Sequence, residues 1–384
     1  MSILDADTRI DIDHVVAVAA AAADDVDRQA RFPHEAVDAM KQAGLLSASL
    51  PIALGGREAS ITELAATSRA LGAACASSGM IYAMHHSQAL GLRFHSTTPA
   101  TAELTREVAR TEGLIASATT EITTGGDLQS STCAVEYNGD TIHLEKNAPV
   151  ISYGDYADYI CVTARRDVTS PPSDQVLVVA PMSEVTLTRT SEWDTLGFRG
   201  TCSPGFMLSL DTAAGHVMPV DYASLSNHTM QPSAHILWAA CWLGIADAAV
   251  AKAGKEVRAA ARRSPGTTPP QAARFGDLLV DHQRFEAAVT DGINRYEKFL
   301  ASGESEATIG FSVAMNNLKI TASTAVVDVV AAALTITGIK GYRQDSEASM
   351  GRLLRDAYGP ALMVSNDRIR ANNSRLVLAL RGNS

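Results

Sequence analysis

Between about residues 114 and 225 the sequence changes its period, and no other feature limits the possible folds as much. On either side the chain is rich in Ala and Leu with apolar residues three and four apart, as in HEAVDAMKQAGLLSASL at 34–50, where Ala36, Val37, Met40, Ala43 and Leu45 fall near one face. Inside the tract, CAVEYNGDTIHLEK, DYICVTARR, DQVLVVAPM and EVTLTRT are rich in β-branched residues and are separated by turn formers. Asn138-Gly139 is the expected turn of a hairpin. From about 230 to 380 long helical patterns return, broken at RRSPGTTPPQ (262–271) and TGIKGYRQDS (337–346). The order predicts an α+β chain in three parts: helical over 1–113, β over 114–225 and helical again over 226–384.

A formal net charge of −10 argues against nucleic-acid binding, because an acidic surface repels a phosphate backbone. Five cysteines stand singly, with no zinc or disulfide spacing, which fits a reducing cytoplasm. The run VVAVAAAAA at 15–23 lacks a basic flank and a cleavage site, so it reads as an amphipathic helix and not a signal. No apolar run is expected to reach the roughly 20 residues of a membrane span.

The short motifs are individually plain. ATTEITTGGD (118–127) sets hydroxyls and a Gly pair beside a strand, where backbone N–H groups can approach a cofactor, or where a polar turn simply closes a connection. TGIKGYRQDS follows a helix, so a dinucleotide-binding reading fails on context. His85 and His86 are adjacent on a helix and diverge by about 100°, which disfavours a shared metal; no metal site is expected. Arg352, Arg355 and Asp356 in RLLRDA read as surface charges.

Taken in order, four stretches resemble the acyl-CoA dehydrogenase family, from RFPHEAVDAMKQAGLLSASLPIALGG (31–56) onward. IASATTEITTGGD is similar to the family's flavin-contacting segment, with Thr120, Glu121, Gly125 and Asp127 in register and Gly126 in place of Ser. WDTLGFRGTCSPGFML (193–208) is similar to the segment after the middle strands. TITGIKGYRQDSEASMGRLLRDA (335–357) resembles the Gly-rich loop and the helix before the catalytic turn. The resemblance implies a helical domain, a middle β-domain and a C-terminal four-helix bundle with FAD at their junction. It implies that Thr119, Thr120, Gly125, Gly126, Ser152 and Asn366 contact the flavin. It also implies that Arg274 and Phe275, with Arg262 and Arg263 as rivals, contact the phosphates, and that residues around Gly338 to Gly341 approach the dinucleotide part from a neighbouring subunit, in a dimer or homotetramer.

The same resemblance implies oxidation of an acyl thioester, bound to CoA or a carrier protein, with electrons leaving to an electron-transfer flavoprotein. The chain departs from it at the base. The position of the family's Glu is Val364, the alternative bundle position falls on Ala234 and His235, and the position where related hydroxylases carry His is Met363. The family's Trp beside the flavin is replaced by Val150. His235, Asp367 and His85 are the candidate bases, His235 first. Two alternatives stay open: a two-component monooxygenase using FADH2 from a flavin reductase with O2, and a non-catalytic flavin-binding homologue.

Overall fold

The computed structural model describes residues 11–122 and 130–380. Helices α1 (Ile12–Gln29), α2 (His34–Gln42), α3 (Ile61–Ala74), α4 (Ala76–His95) and α5 (Pro99–Thr111) come first. Their starts are written locally. Ser60 and Glu63 form a capping box before α3, and Thr98 caps α5 ahead of Pro99, where a missing N–H costs nothing.

Seven strands follow: β1 (Ile115–Ala118), β2 (Glu136–Asn138), β3 (Thr141–Ala148), β4 (Tyr159–Arg165), β5 (Gln175–Pro181), β6 (Val185–Arg189) and β7 (Phe206–Ala213). They form two sheets, ordered β1-β4-β5 and β2-β3-β7-β6, with β1 parallel to β4 and the other pairs antiparallel. The hairpin turn lies one residue later than the sequence suggested. Asn138 pairs with Thr141, so Gly139 and Asp140 make the turn, and Gly139 takes the positive φ of 62° that favours glycine there.

The chain ends in α6 (Tyr222–Leu225), a π-helical turn (Ser226–Met230), α7 (Gln231–Arg263), α8 (Ala272–Ser302), α9 (Ile309–Thr337), α10 (Ile339–Tyr342), α11 (Gly351–Tyr358) and α12 (Asn366–Leu376). Three long helices make the bundle, with α11 and α12 packed against α9. Contrary to the sequence expectation, Tyr222–Arg263 and Ile309–Thr337 are long and apolar enough to cross a membrane. The first has 72% of its most apolar window buried in the protein, as an inner helix should; the second has 44%. Gly72 of α3 and Gly244 of α7 let those two helices touch backbone to backbone, since a Cβ on Gly72 would collide with the Cys241 carbonyl and one on Gly244 with that of Arg69. Helices α7 and α9 run parallel: His235 meets Met315 at one end, and Glu256 meets Lys340 at the other.

Candidate active site

The segment after β1 lies along the end of β3, where the Ile122 N–H donates to the Asn147 carbonyl at 3.2 Å. Beneath it Glu121, 4% exposed, pairs with Lys146 at 3.1 Å and accepts from Ser131 Oγ and from the Thr132 N–H and Oγ. Lys146 also donates to the Thr163 carbonyl at 2.6 Å and hydroxyl at 2.9 Å. Burial opposes the charge on Glu121, yet Lys146 and the hydroxyls outweigh it and hold the carboxyl at about 2. This buried pair fixes the base of the segment that carries Thr119 and Thr120. Gly125, Gly126 and Asp127 lie outside the described residues.

Across from it, a hydroxyl chain ends at Ser152. Thr201 Oγ donates to the Phe198 carbonyl at 2.9 Å, and Ser203 Oγ donates to Ser152 Oγ at 2.9 Å. Three non-glycine residues here are left-handed: Tyr153 (φ 44°), Phe198 (φ 49°) and Cys202 (φ 41°). Such conformations cost on the order of 1–3 kcal/mol each and persist only when their surroundings impose them. For Phe198 the constraint is visible, because its N–H donates to Asp356 Oδ1 at 2.7 Å and Gly197 packs on the Arg355 carbonyl too closely to admit a side chain. Asp356 is therefore not a surface charge as its sequence context implied. It is 3% exposed, and burial raises its carboxyl to about 6 against the pull of the Phe198 N–H and Arg352.

The turn 359–365 leaves α11 against Phe198, on which Gly359 packs, and ends at α12. Its last carbonyl but one, that of Val364, accepts from Lys319 Nζ of α9 at 2.9 Å; the same ammonium or amine donates to Asn366 Oδ1 at 2.8 Å. Asn366 is in turn held by Ser323. Val364 has φ 45°, an uncommon state for a β-branched residue. On the facing helix, His235 Nδ1 lies 3.1 Å from the Met315 carbonyl. A carbonyl only accepts, so Nδ1 carries the proton and Nε2 keeps its lone pair. Burial, then the neighbouring Lys319, lower His235 to about 4 and keep it neutral at pH 7. A chain of contacts thus runs from Ser152 through Phe198 and the turn to Lys319, with His235 nearby on α7.

The profile of the family described as acyl-CoA dehydrogenase, N-terminal domain, matches residues 13–112. Cyclohex-1-ene-1-carbonyl-CoA dehydrogenase of Geobacter metallireducens is 25% identical over 337 residues, covering 87% of this chain and 86% of that protein. The FMN-bound dibenzothiophene monooxygenase TdsC of Paenibacillus sp. A11-2 superposes with a TM-score of 0.82 at 17% identity, covering 96% of this chain and 97% of that one. Residues 13–112 thus match the acyl-CoA dehydrogenase N-terminal domain, and the chain as a whole has the acyl-CoA dehydrogenase fold. Butyryl-CoA dehydrogenase of Megasphaera elsdenii shares the fold as well, with a TM-score of 0.77, 18% identity and coverage of 98% and 100%.

Set in the superfamily fold, the sequence-predicted residues separate into groups. Ser152, Asn366 and His235 take part in the contacts just described, whereas Thr119 offers its carbonyl to Thr163 Oγ of β4 at 3.4 Å. His85 is fully buried and spends both nitrogens internally, Nε2 on the Leu46 carbonyl at 2.7 Å and Nδ1 on the Ile115 N–H at 3.1 Å. Asp367 faces solvent with its side chain 90% exposed, paired to Arg370. Arg263, Arg274, Phe275, Gly338 and Gly341 gather at the other end of the bundle. Lys319 was missed by sequence reasoning, although a lone Lys in the apolar run of α9, four residues after Met315, is a readable signal.

Proposed function

We propose that the chain is a flavin-dependent monooxygenase that takes reduced flavin from a separate reductase and oxygenates a small organic substrate with O2. The carrying observation is the turn itself: Val364 and Ala234 supply no carboxylate where superfamily dehydrogenases place their base, and His235 is neutral with a conjugate acid near 4. A base that weak is poorly matched to a thioester α-proton at pH 7, whereas oxygenation asks mainly for a dry pocket of neutral donors. The likeness to TdsC supports the same reading.

The Ser152 hydroxyl fits a flavin ring. It accepts from Ser203 and so keeps its own proton for an outside acceptor such as a ring carbonyl. Thr119 and Thr120 would face the same ring from the Glu121 segment, and Asn366, fixed by Lys319 and Ser323, would bound it from the bundle. Bound reduced flavin would supply the electrons that activate O2. The chain's own part is to orient the ring, exclude water and offer His235 Nε2 as a hydrogen-bond acceptor to substrate.

In the FAD form the dinucleotide contacts would come from a second copy. Arg263 lies 28 residues beyond His235 along α7, about 42 Å at 1.5 Å per residue, too far for one flavin to touch both ends. The half-covered apolar face of α9 is where such a copy would pack. Five free cysteines suit a reducing cytoplasm for the assembly.

Acyl thioester dehydrogenation is the second reading, favoured by the Geobacter relative. Mixing decides between them. Loaded with oxidised flavin and given butyryl-CoA without O2, the protein should keep its yellow colour, while Val364→Glu should bleach about 10²- to 10⁴-fold faster, the span of a general base. Loaded with reduced flavin and exposed to O2, the wild type should return to the oxidised spectrum more slowly than free flavin. Rapid anaerobic bleaching of the wild type refutes the monooxygenase reading.

A further inference from the structure

Lys319 is fully buried, and among the described residues no carboxylate pairs with it. Its nitrogen meets two acceptors, the Val364 carbonyl and Asn366 Oδ1, both belonging to the junction of the turn with α12. A neutral amine has two N–H groups and one lone pair, so these two acceptors use its donors completely. An ammonium would keep a third N–H and a full charge in an apolar interior, beside the first turn of α12, whose N-terminal dipole end repels cations. The turn that it holds carries Val364 at φ 45°, a conformation that persists only where its surroundings impose it, and Lys319 supplies two of those contacts.

We propose that Lys319 is the positioning residue of the 359–366 turn: the turn closes on the neutral amine and opens when the amine takes up a proton. Burial, with Arg370 adding to it, draws Lys319 down to about 7 in the closed form, whereas an opened turn returns it to water and to the ordinary lysine range. The closed form binds fewer protons than the open form between those limits. Rising pH therefore favours closure, and acid favours opening. The charged groups that bear on Lys319 are Arg370 on α12, whose partner Asp367 points to solvent, and His235 on α7; α8, α10 and α11 contribute none. The inference rests on the proposed function only for the significance of the turn, since the turn's closure is read in the free protein.

Hydrogen exchange of the peptide spanning 359–369, corrected for the intrinsic pH dependence of amide exchange, tests it in flavin-free full-length protein between pH 6 and 9. In the wild type, protection should be level below pH 7 and then rise by about tenfold per pH unit, the slope of a single linked proton. Lys319→Met should remove the slope, and Lys319→Arg, which stays charged, should leave the turn unprotected throughout. His235→Gln should retain a slope, which separates the two nitrogens. A wild-type profile that is flat from pH 7 to 9, or a slope that survives in Lys319→Met, overturns the proposal. Should Lys319→Met not fold, the wild-type and His235→Gln profiles still decide. Flavin binding, measured separately by absorbance, reports on the proposed function and not on this one.

Discussion

Replacing Asp356 by Asn should stabilise the protein at neutral and alkaline pH and leave it unchanged in acid. Asp356 sits under the Phe198 loop with its carboxyl raised to about 6, against 3.8 for the free side chain. The folded chain thus binds more protons than the unfolded chain between those values, and stability falls as pH rises through that window. Above it, the buried carboxylate costs about 3 kcal/mol, from a difference of about 2.2 at about 1.36 kcal/mol per pH unit. Asn keeps an oxygen for the Phe198 N–H and carries no charge. With an unfolding entropy of about 2.1 cal/mol/K per residue over the whole chain, about 3 kcal/mol corresponds to a rise in Tm of about 4 °C. Thermal unfolding followed by circular dichroism at pH 4 and pH 8 measures it. A lower Tm for Asp356→Asn at pH 8, or an equal difference at both pH values, would refute the argument that burial dominates this carboxyl.

Lys146→Met should cost about 3–5 kcal/mol by urea unfolding, because it leaves Glu121 buried without its cation; a loss under about 1 kcal/mol would mean that the hydroxyls alone hold that carboxylate. Gly72→Ala should lower stability by about 3 kcal/mol, since α3 must lift off α7 to clear the Cys241 carbonyl, and an unchanged melting temperature would show that the crossing yields freely.

The fold was legible because its signals are local and periodic. The switch from helical spacing to β-branched alternation and back needs only the sequence, and so does the hairpin turn at Gly139, within one residue. The candidate site was legible in part. Val364 stands where a Glu was expected, and His235 was found because the resemblance puts the alternative base position at Ala234 and His235; both are matters of register. Asp356 and Lys319 were not. RLLRDA has the composition of a solvated face, and only the descent of the 193–203 loop onto α11 buries its aspartate. Lys319 stands out in the apolar run of α9, but its partners, the Val364 carbonyl and Asn366, come only with the turn and α12. In both cases the decisive contact joins segments distant in sequence, about which periodicity is silent. The apolar length of α7 and α9 was underestimated for a related reason: scattered Trp, His, Asn and Thr interrupt the runs by eye, while the average over a helix does not notice them.

In the proposed assembly the parallel course of α7 and α9 would have a genetic consequence. Each chain would carry the ring-facing half of one flavin site at its His235 end and the dinucleotide-facing half of another at its Arg263 end. Lesions at opposite ends of the bundle would then fall in different sites of an assembly, and two damaged chains co-assembled could restore a site that neither forms alone. In that sense one polypeptide would behave as two complementing units.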